Sequence, residues 1–371
     1  MRRIDNPPNP YLSTYHEWIE EPPPALPEVY EERAKSILNE NDSPDLGFRW
    51  SGNPYRGCQH ACAYCYARPT HEYLGWGAGT DFETKLIVKI NAPQLLREAF
   101  RSRRWKGEAI EFSGATDCYQ PLEAVWKLTR RCLEVCVEFN NPVGVATKSY
   151  LVCRDADLLG ELARGPGAHV CMSIPFADDK VCRLIEPQAP PPSKRFDAMR
   201  KLADAGVPVG VLIAPIIPGL NDRDIGRIVA RAAACGATYA GHQALRLPGS
   251  VEPVFFKRLR DAMPLAADRI ENRLREIRGG RLNDPRFFAR MTGRGPYWDS
   301  VEQLLAAACR KHGFEDRPCR TDRECASRGA ANEDESEGAE RQMTFAFAAI
   351  TRPGSREPHP AAAEDPPEFG R

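Results

Sequence analysis

Six short runs of continuously apolar sequence, at residues 48–50, 109–113, 143–147, 169–174, 207–214 and 238–243, recur along the chain and alternate with segments of helical period. The helical patterns between them include 92–103, 123–140, 155–164 and 193–205. Strands joined by crossovers of this length lie side by side in parallel, and a parallel sheet is covered on both faces. The pattern predicts an α/β fold of six successive β/α units, a parallel sheet clad in helices. Neither a G-x-G-x-x-G fingerprint nor a P-loop interrupts it. A length of 371 residues admits this one large domain with appendages.

The flanks read differently. Residues 1–45 carry Pro7, Pro8, Pro10, Pro22, Pro23, Pro24 and Pro27, and are expected to form a strap on the domain with one short helix over 28–39. The core is placed at 46–250. Helical patterns at 254–277 and 300–311 predict a C-terminal helical extension spanning 251–314. Residues 315–371 hold 13 Asp or Glu against 8 Arg with few apolar residues, the composition of a disordered acidic tail.

Lys plus Arg and Asp plus Glu both number 51, so no global field recruits nucleic acid or an anionic surface. The basic pair at Arg2 and Arg3 has no apolar run behind it, and the apolar stretch at 207–220 is short and broken by Pro208, Pro215 and Pro218. A soluble, cytoplasmic protein without a membrane partner is expected. Thirteen cysteines, an odd number in a chain this large, favour a reducing compartment and direct attention to metal binding.

Three of the cysteines stand together in Asn53-Pro-Tyr-Arg-Gly-Cys58-Gln-His-Ala-Cys62-Ala-Tyr64-Cys65-Tyr66-Ala-Arg68, with the spacing C-x3-C-x2-C. Three thiolates on one loop with no near fourth ligand can hold three irons of a cubane cluster and leave the fourth iron open. A structural zinc requires a closed shell of four, for which Cys118 or His60 would have to come from afar. Buried core thiols are the third reading.

The spacing, the aromatic residue before the last cysteine and the six following β/α units resemble the radical S-adenosylmethionine (SAM) superfamily over about 48–243. The resemblance implies a partial (β/α)6 TIM-like barrel in which Cys58, Cys62 and Cys65 ligate a 4Fe-4S cluster, with Tyr64 on the cofactor side. It further implies that SAM chelates the open iron and is reductively cleaved to a 5'-deoxyadenosyl radical that abstracts hydrogen from substrate, with flavodoxin or ferredoxin as reductant. Further matches fall after successive strands, where such barrels place their chemistry. The segment Phe112-Ser-Gly-Ala-Thr116-Asp117-Cys-Tyr119-Gln120-Pro121-Leu-Glu123 is similar to one that receives the SAM methionyl group in the spore photoproduct lyase branch. Thr116 and Asp117 are its candidate contacts, with Lys148 and Ser173 as the branch's further SAM-side residues. The motifs also resemble a bacterial group labelled "DNA repair photolyase". The lyase's hydrogen-returning cysteine, however, is matched by Gly114, which cannot perform that step.

Nucleic acid as substrate or partner draws support from the basic helix end Arg97, Arg101, Arg103, Arg104, Trp105 and Lys106, and from 255–295, with 11 Lys or Arg against 5 Asp or Glu. Solvated helix faces and caps are the ordinary explanation of such runs. The rival from another class is a zinc-stabilised nucleic-acid binding module without catalysis. Cys132 and Cys136 read as core, and Cys319 with Cys325 as a weak second metal candidate. In the tail, residues 342–347 (Gln-Met-Thr-Phe-Ala-Phe) loosely resemble peptides that dock on bacterial DNA sliding clamps, although Ala346 breaks the usual ending.

Overall fold

The computed structural model describes residues 6–13 and 26–314. The predicted tail at 315–371, with Cys319, Cys325 and the 342–347 segment, lies outside the described residues, as do the prolines at 22–24. The strands are Glu28–Glu32 (β1), Leu38–Glu40 (β2), Trp50–Gly52 (β3), Tyr55–Arg56 (β4), Lys85–Lys89 (β5), Ile110–Phe112 (β6), Val143–Thr147 (β7), Ala168–Ser173 (β8), Val209–Ile216 (β9) and Tyr239–Ala244 (β10). The helices are Thr80–Thr84 (α1), Ala92–Arg101 (α2), Glu123–Trp126 (α3), Leu128–Glu138 (α4), Ala156–Arg164 (α5), Asp179–Ile185 (α6), Pro192–Asp204 (α7), Ile225–Ala234 (α8), Val251–Ala262 (α9), Pro264–Glu276 (α10) and Pro296–Lys311 (α11).

All six predicted strands form, and they pair in parallel in chain order, β3-β6-β7-β8-β9-β10. β2 closes one edge antiparallel to β3, and β10 is the other edge, so the barrel is open. The expected short helix over 28–39 is absent: β1 and β2 stand there instead. β1 runs parallel to β5, register Glu28 to Lys85 through Glu32 to Lys89, and β4 flanks β5 on its other side. Pairing along the edge of β5 satisfies backbone groups that a strap helix would leave open there, and this tertiary demand overrides local helical propensity.

Period-two alternation gives the barrel two unlike faces. Val143, Val145, Val170, Met172, Val209, Val211 and Ile213 point outward into the main core beneath the helices. The alternate positions are small or polar. Ala146, Ala214 and Gly241, and Leu212 as the larger exception, lie mid-sheet yet are only half-buried, so the inner face lines a bore open to solvent. Deeper in the bore the Glu111 carboxyl lies against Gly144, where a Cβ would fall 1.8 Å from its Oε1. The Tyr239 ring likewise occupies the space over Gly210.

The C-terminal helices do more than extend the chain. Phe255, Phe256 and Leu259 of α9 and Ile270 and Leu274 of α10 form a second core with Cys62, Ala63, Tyr64 and Phe176, so this layer braces the cysteine loop. Among the described residues no helix is long and apolar enough to cross a membrane.

Candidate active site

The cysteine loop follows β3 and the short β4 and is fixed by its backbone. Gly57 adopts a left-handed φ of 74°, and a Cβ there would meet Leu86 Cδ2 at 2.9 Å and the carbonyls of Lys85 and Phe82 at 3.0 Å, so only glycine fits before Cys58. The Cys58 amide donates to Phe82 O at 3.0 Å, and the Ala63 amide to Ile185 O at 2.9 Å. Gln120, fully buried after β6, donates to Gly57 O at 2.9 Å and accepts from the Gln59 amide at 3.1 Å, clamping the loop from the barrel side.

Beneath the loop lie two buried guanidinium groups. Arg68 donates to Cys62 O at 2.7 Å, to Ala78 O at 2.9 Å and to Glu83 Oε1 at 2.6 Å. Arg258, from α9, donates to Ala61 O and to the same Glu83 oxygen. Two cations thus face one carboxylate, leaving a buried positive surplus under the thiols. Burial pushes the Cys62 thiol well up and the Cys65 thiol to about 11. Metal coordination reverses such a preference by deprotonating the thiol outright. Among the described residues no three His, Cys, Asp or Glu side chains gather tightly enough to enclose one metal ion. In a cubane each thiolate binds a different iron, so the donors stand further apart. The donor set and the cationic bed fit an anionic iron-sulfur cluster.

The strand-end residues fall into two networks. Thr116 is buried, accepts from Asn53 Nδ2 at 2.9 Å and donates to Tyr55 O at 3.3 Å, which ties the cysteine loop to the turn after β6. Asp117 accepts from Thr147 Oγ1 at 2.7 Å, the Lys148 amide at 2.8 Å and the Tyr119 amide at 2.9 Å, and its Oδ2 lies 3.4 Å from His60 Nδ1. Burial alone would raise this carboxyl. His60 and the donors outweigh it and hold Asp117 well below the usual carboxylate range.

The second network joins Lys148, Ser173 and Tyr64. Lys148 Nζ donates to Ser173 Oγ at 3.0 Å, lies 4.0 Å from Glu186 Oε1 and sits 5.7 Å from the Tyr64 ring centre. Tyr64 donates to Glu186, which also accepts from Cys182 Sγ at 3.1 Å and pairs with fully buried Arg195. Arg195 in turn donates to Ser173 O at 2.9 Å and Pro190 O at 2.7 Å. Glu186 and Arg195, like Glu83 and Arg258, escaped the sequence reading. Their partners lie up to 197 positions away, and a lone acidic or basic residue on a helix carries no local signal.

Of the basic runs noted in the sequence, many members are engaged internally. Arg97 pairs with Glu138 at 2.7 Å, and Trp105 stacks on Phe100 and donates to Asn141. Arg260 and Arg275 share Glu271, Arg273 pairs with Glu276, Arg286 with Asp284 and Arg290 with Asp45. Cys132 and Cys136 are buried in the main core, the environment read for them from the sequence. Gly114, at the lyase cysteine's position, is exposed with φ 73° and has only Ser51 near its absent Cβ.

Six parallel strands in an open barrel with a thiol loop at their C-terminal mouth define a class, and comparison with known proteins agrees. Residues 53–232 match the radical SAM superfamily. The chain is 35% identical over 238 residues to an uncharacterized protein of Mycobacterium tuberculosis, covering 63% of this chain and 70% of that one. It is 34% identical over 195 residues to an uncharacterized protein of Methanocaldococcus jannaschii, covering 53% and 70%. The structure of spore photoproduct lyase complexed with dinucleoside spore photoproduct superposes with a TM-score of 0.54 at 15% identity, over 76% of this chain and 79% of that one, a likeness of fold. The chain belongs to the radical SAM superfamily, and it is an enzyme.

Proposed function

We propose that Cys58, Cys62 and Cys65 hold a 4Fe-4S cluster, and that the protein binds SAM beside it in the cytoplasm and draws electrons from a flavodoxin or ferredoxin. When bound, cluster and SAM supply a 5'-deoxyadenosyl radical by reductive cleavage, and that radical takes a hydrogen atom from substrate. The carrying observation is the thiol loop itself, held at the C-terminal mouth of the parallel barrel over the Arg68–Glu83–Arg258 bed.

The chain's own groups divide the remaining work. Lys148, oriented by Ser173 and drawn toward Glu186, offers its other ammonium protons to the SAM carboxylate. Tyr64, fixed through its hydroxyl, gives the SAM side of the loop an aromatic wall. Asp117 and Thr116, already bonded to protein donors, set the spacing between the loop and the ends of β6 and β7, and Asp117 keeps the anionic charge that draws the SAM ammonium. The half-open bore admits the substrate. Nucleic acid is the substrate class we favour, supported by the fold shared with a lyase seen with a dinucleoside. With Gly114 at the turn, hydrogen return to product uses a donor other than the lyase's cysteine.

Anaerobically purified protein should carry about four irons per chain, absorb at about 400 nm and, with reductant, release 5'-deoxyadenosine from SAM, as one three-cysteine cubane implies. Replacing Cys58, Cys62 and Cys65 together by Ala should remove the iron. Stoichiometric zinc in place of iron, or full iron in the triple variant, overturns the proposal in favour of a zinc-stabilised binding module or a cluster held elsewhere.

A further inference from the structure

Most of the arginines between residues 255 and 295 described above have carboxylate partners; among the described residues Arg278 has none, and neither has Arg246, just beyond the end of β10. Arg278 is buried at 7% exposure, and one Nη donates to Leu245 O at 2.6 Å. Its Nε and other Nη reach no hydrogen-bond partner among the described residues. Arg246 Nε is likewise buried without a partner, and the side chain makes no hydrogen bond to a described residue. The nearby carboxylates are already engaged: Asp45 takes a two-pronged contact from Arg290, and Asp284 one from Arg286 at 2.7 and 3.0 Å.

Orphaned buried N–H groups are rare in native structures, and buried guanidinium groups are kept where a planar fork meets an anion. The half-buried Arg246 lies close enough to repel Arg278; burial lowers Arg278 to about 10, an effect that the charge of Asp284 opposes and that of Arg246 reinforces. An oxyanion between them would satisfy the open donors and cancel the repulsion.

The place is also informative. The Arg246 guanidinium lies 5.8 Å from the ring centre of Tyr66, the residue after Cys65, whose hydroxyl donates to Gly114 O. The loop bearing Arg278 and Arg290 packs on the end of β10 through the Ala244 amide to Met291 O contact at 2.9 Å. On that loop Phe287 and Phe288 are about half exposed, and the Arg290 guanidinium covers Phe287 at 4.7 Å. Stackable rings on the loop that carries Arg278 suit a nucleotide better than a bare inorganic ion.

We propose that Arg246 and Arg278 form an oxyanion site at the barrel mouth that holds a phosphate group of a nucleotide substrate. The site deepens the function proposed above and rests on that reading for its role, while its binding can be measured without turnover.

The test is calorimetry on the iron-loaded, anaerobic protein with thymidine 5'-monophosphate, thymidine, inorganic phosphate and SAM as separate probes. Thymidine 5'-monophosphate should bind at least tenfold tighter than thymidine, and Arg246→Gln should abolish most of that advantage. Arg278→Lys, chosen because the Leu245 contact needs a donor, should do the same, with folding checked by circular dichroism. Equal affinity for thymidine 5'-monophosphate and thymidine overturns the site, as does an advantage that survives both substitutions. If Arg246→Gln weakens SAM and spares the nucleotide, the anion is the SAM carboxylate and the proposal falls. If inorganic phosphate binds as tightly as the nucleotide, the aromatic flank contributes nothing and the nucleotide assignment falls. A protein that binds nucleotide but fails to cleave SAM separates this inference from the radical assignment.

Discussion

The barrel mouth holds two polar regions built on opposite principles. Around Glu186 and Asp117, buried groups are met by protein partners: Asp117 takes three hydrogen bonds, and Glu186 takes Tyr64, Cys182 and Arg195. Around Arg246 and Arg278, donors are left open while neighbouring carboxylates serve other arginines. A saturated network holds geometry and contributes rigidity. An unsaturated one is stable only while the rest of the fold supports it, and it is where a ligand has most to gain.

The largest effect that would sharpen this contrast is expected in the saturated network. Glu186→Ala leaves Arg195 buried and unpaired, which should cost about 3 to 5 kcal/mol in urea denaturation. A loss below about 1 kcal/mol would mean that the pair is not the closed unit described. Glu83→Ala should behave alike and also loosen the cysteine loop, read as lower iron retention.

The deep bore offers the next test. Burial pushes the Glu111 carboxyl up to about 8, with His169 Nε2 3.4 Å away and the Cys171 thiol on the same strand. A raised folded pKa means that this contribution to stability is full below the ordinary carboxylate range and is lost as pH rises toward about 8. Across pH 5 to 8 the loss should amount to about 4 kcal/mol for one group. Glu111→Gln should flatten that part of the profile, and an unchanged slope would remove Glu111 as its source.

SAM affinity comes third. Lys148→Ala and Ser173→Ala should each weaken SAM binding by roughly tenfold to a hundredfold, the worth of a charge-assisted hydrogen bond at ~1.5 to 3 kcal/mol, with the iron still loaded. Unchanged affinity in both would break the assignment of this network to SAM. The smallest effect belongs to the unsaturated side: Arg246→Met should change stability by no more than about 1 kcal/mol, in either direction, since among the described residues it loses the Tyr66 ring contact but no hydrogen-bonded or carboxylate partner. A loss comparable to that of Glu186→Ala would show a hidden partner and erase the contrast.

Much of this molecule was legible beforehand, for identifiable reasons. The six barrel strands are short, apolar and separated by crossovers, and each of those properties is local. The three cysteines and Gly57 form one contiguous segment whose spacing is itself the signal. The 28–39 segment misled because its residues suit a helix and its strands exist only by pairing with β5 and β3. β5, Lys85–Lys89, lies outside the six predicted strands although its Leu-Ile-Val run favours a strand locally.

What the amino-acid order determined by itself was the class: parallel β/α units and a thiol loop at a strand end, since strand length, crossover length and ligand spacing are properties of neighbouring residues. What only the tertiary structure decided was which charges are matched. Arg258 reaches Glu83 across 175 positions, Tyr64 reaches Glu186 across 122, and Arg246 finds no carboxylate among the described residues although the chain balances 51 cations with 51 anions. Electrostatic pairing depends on distance in space, which the fold sets and the order of residues does not record.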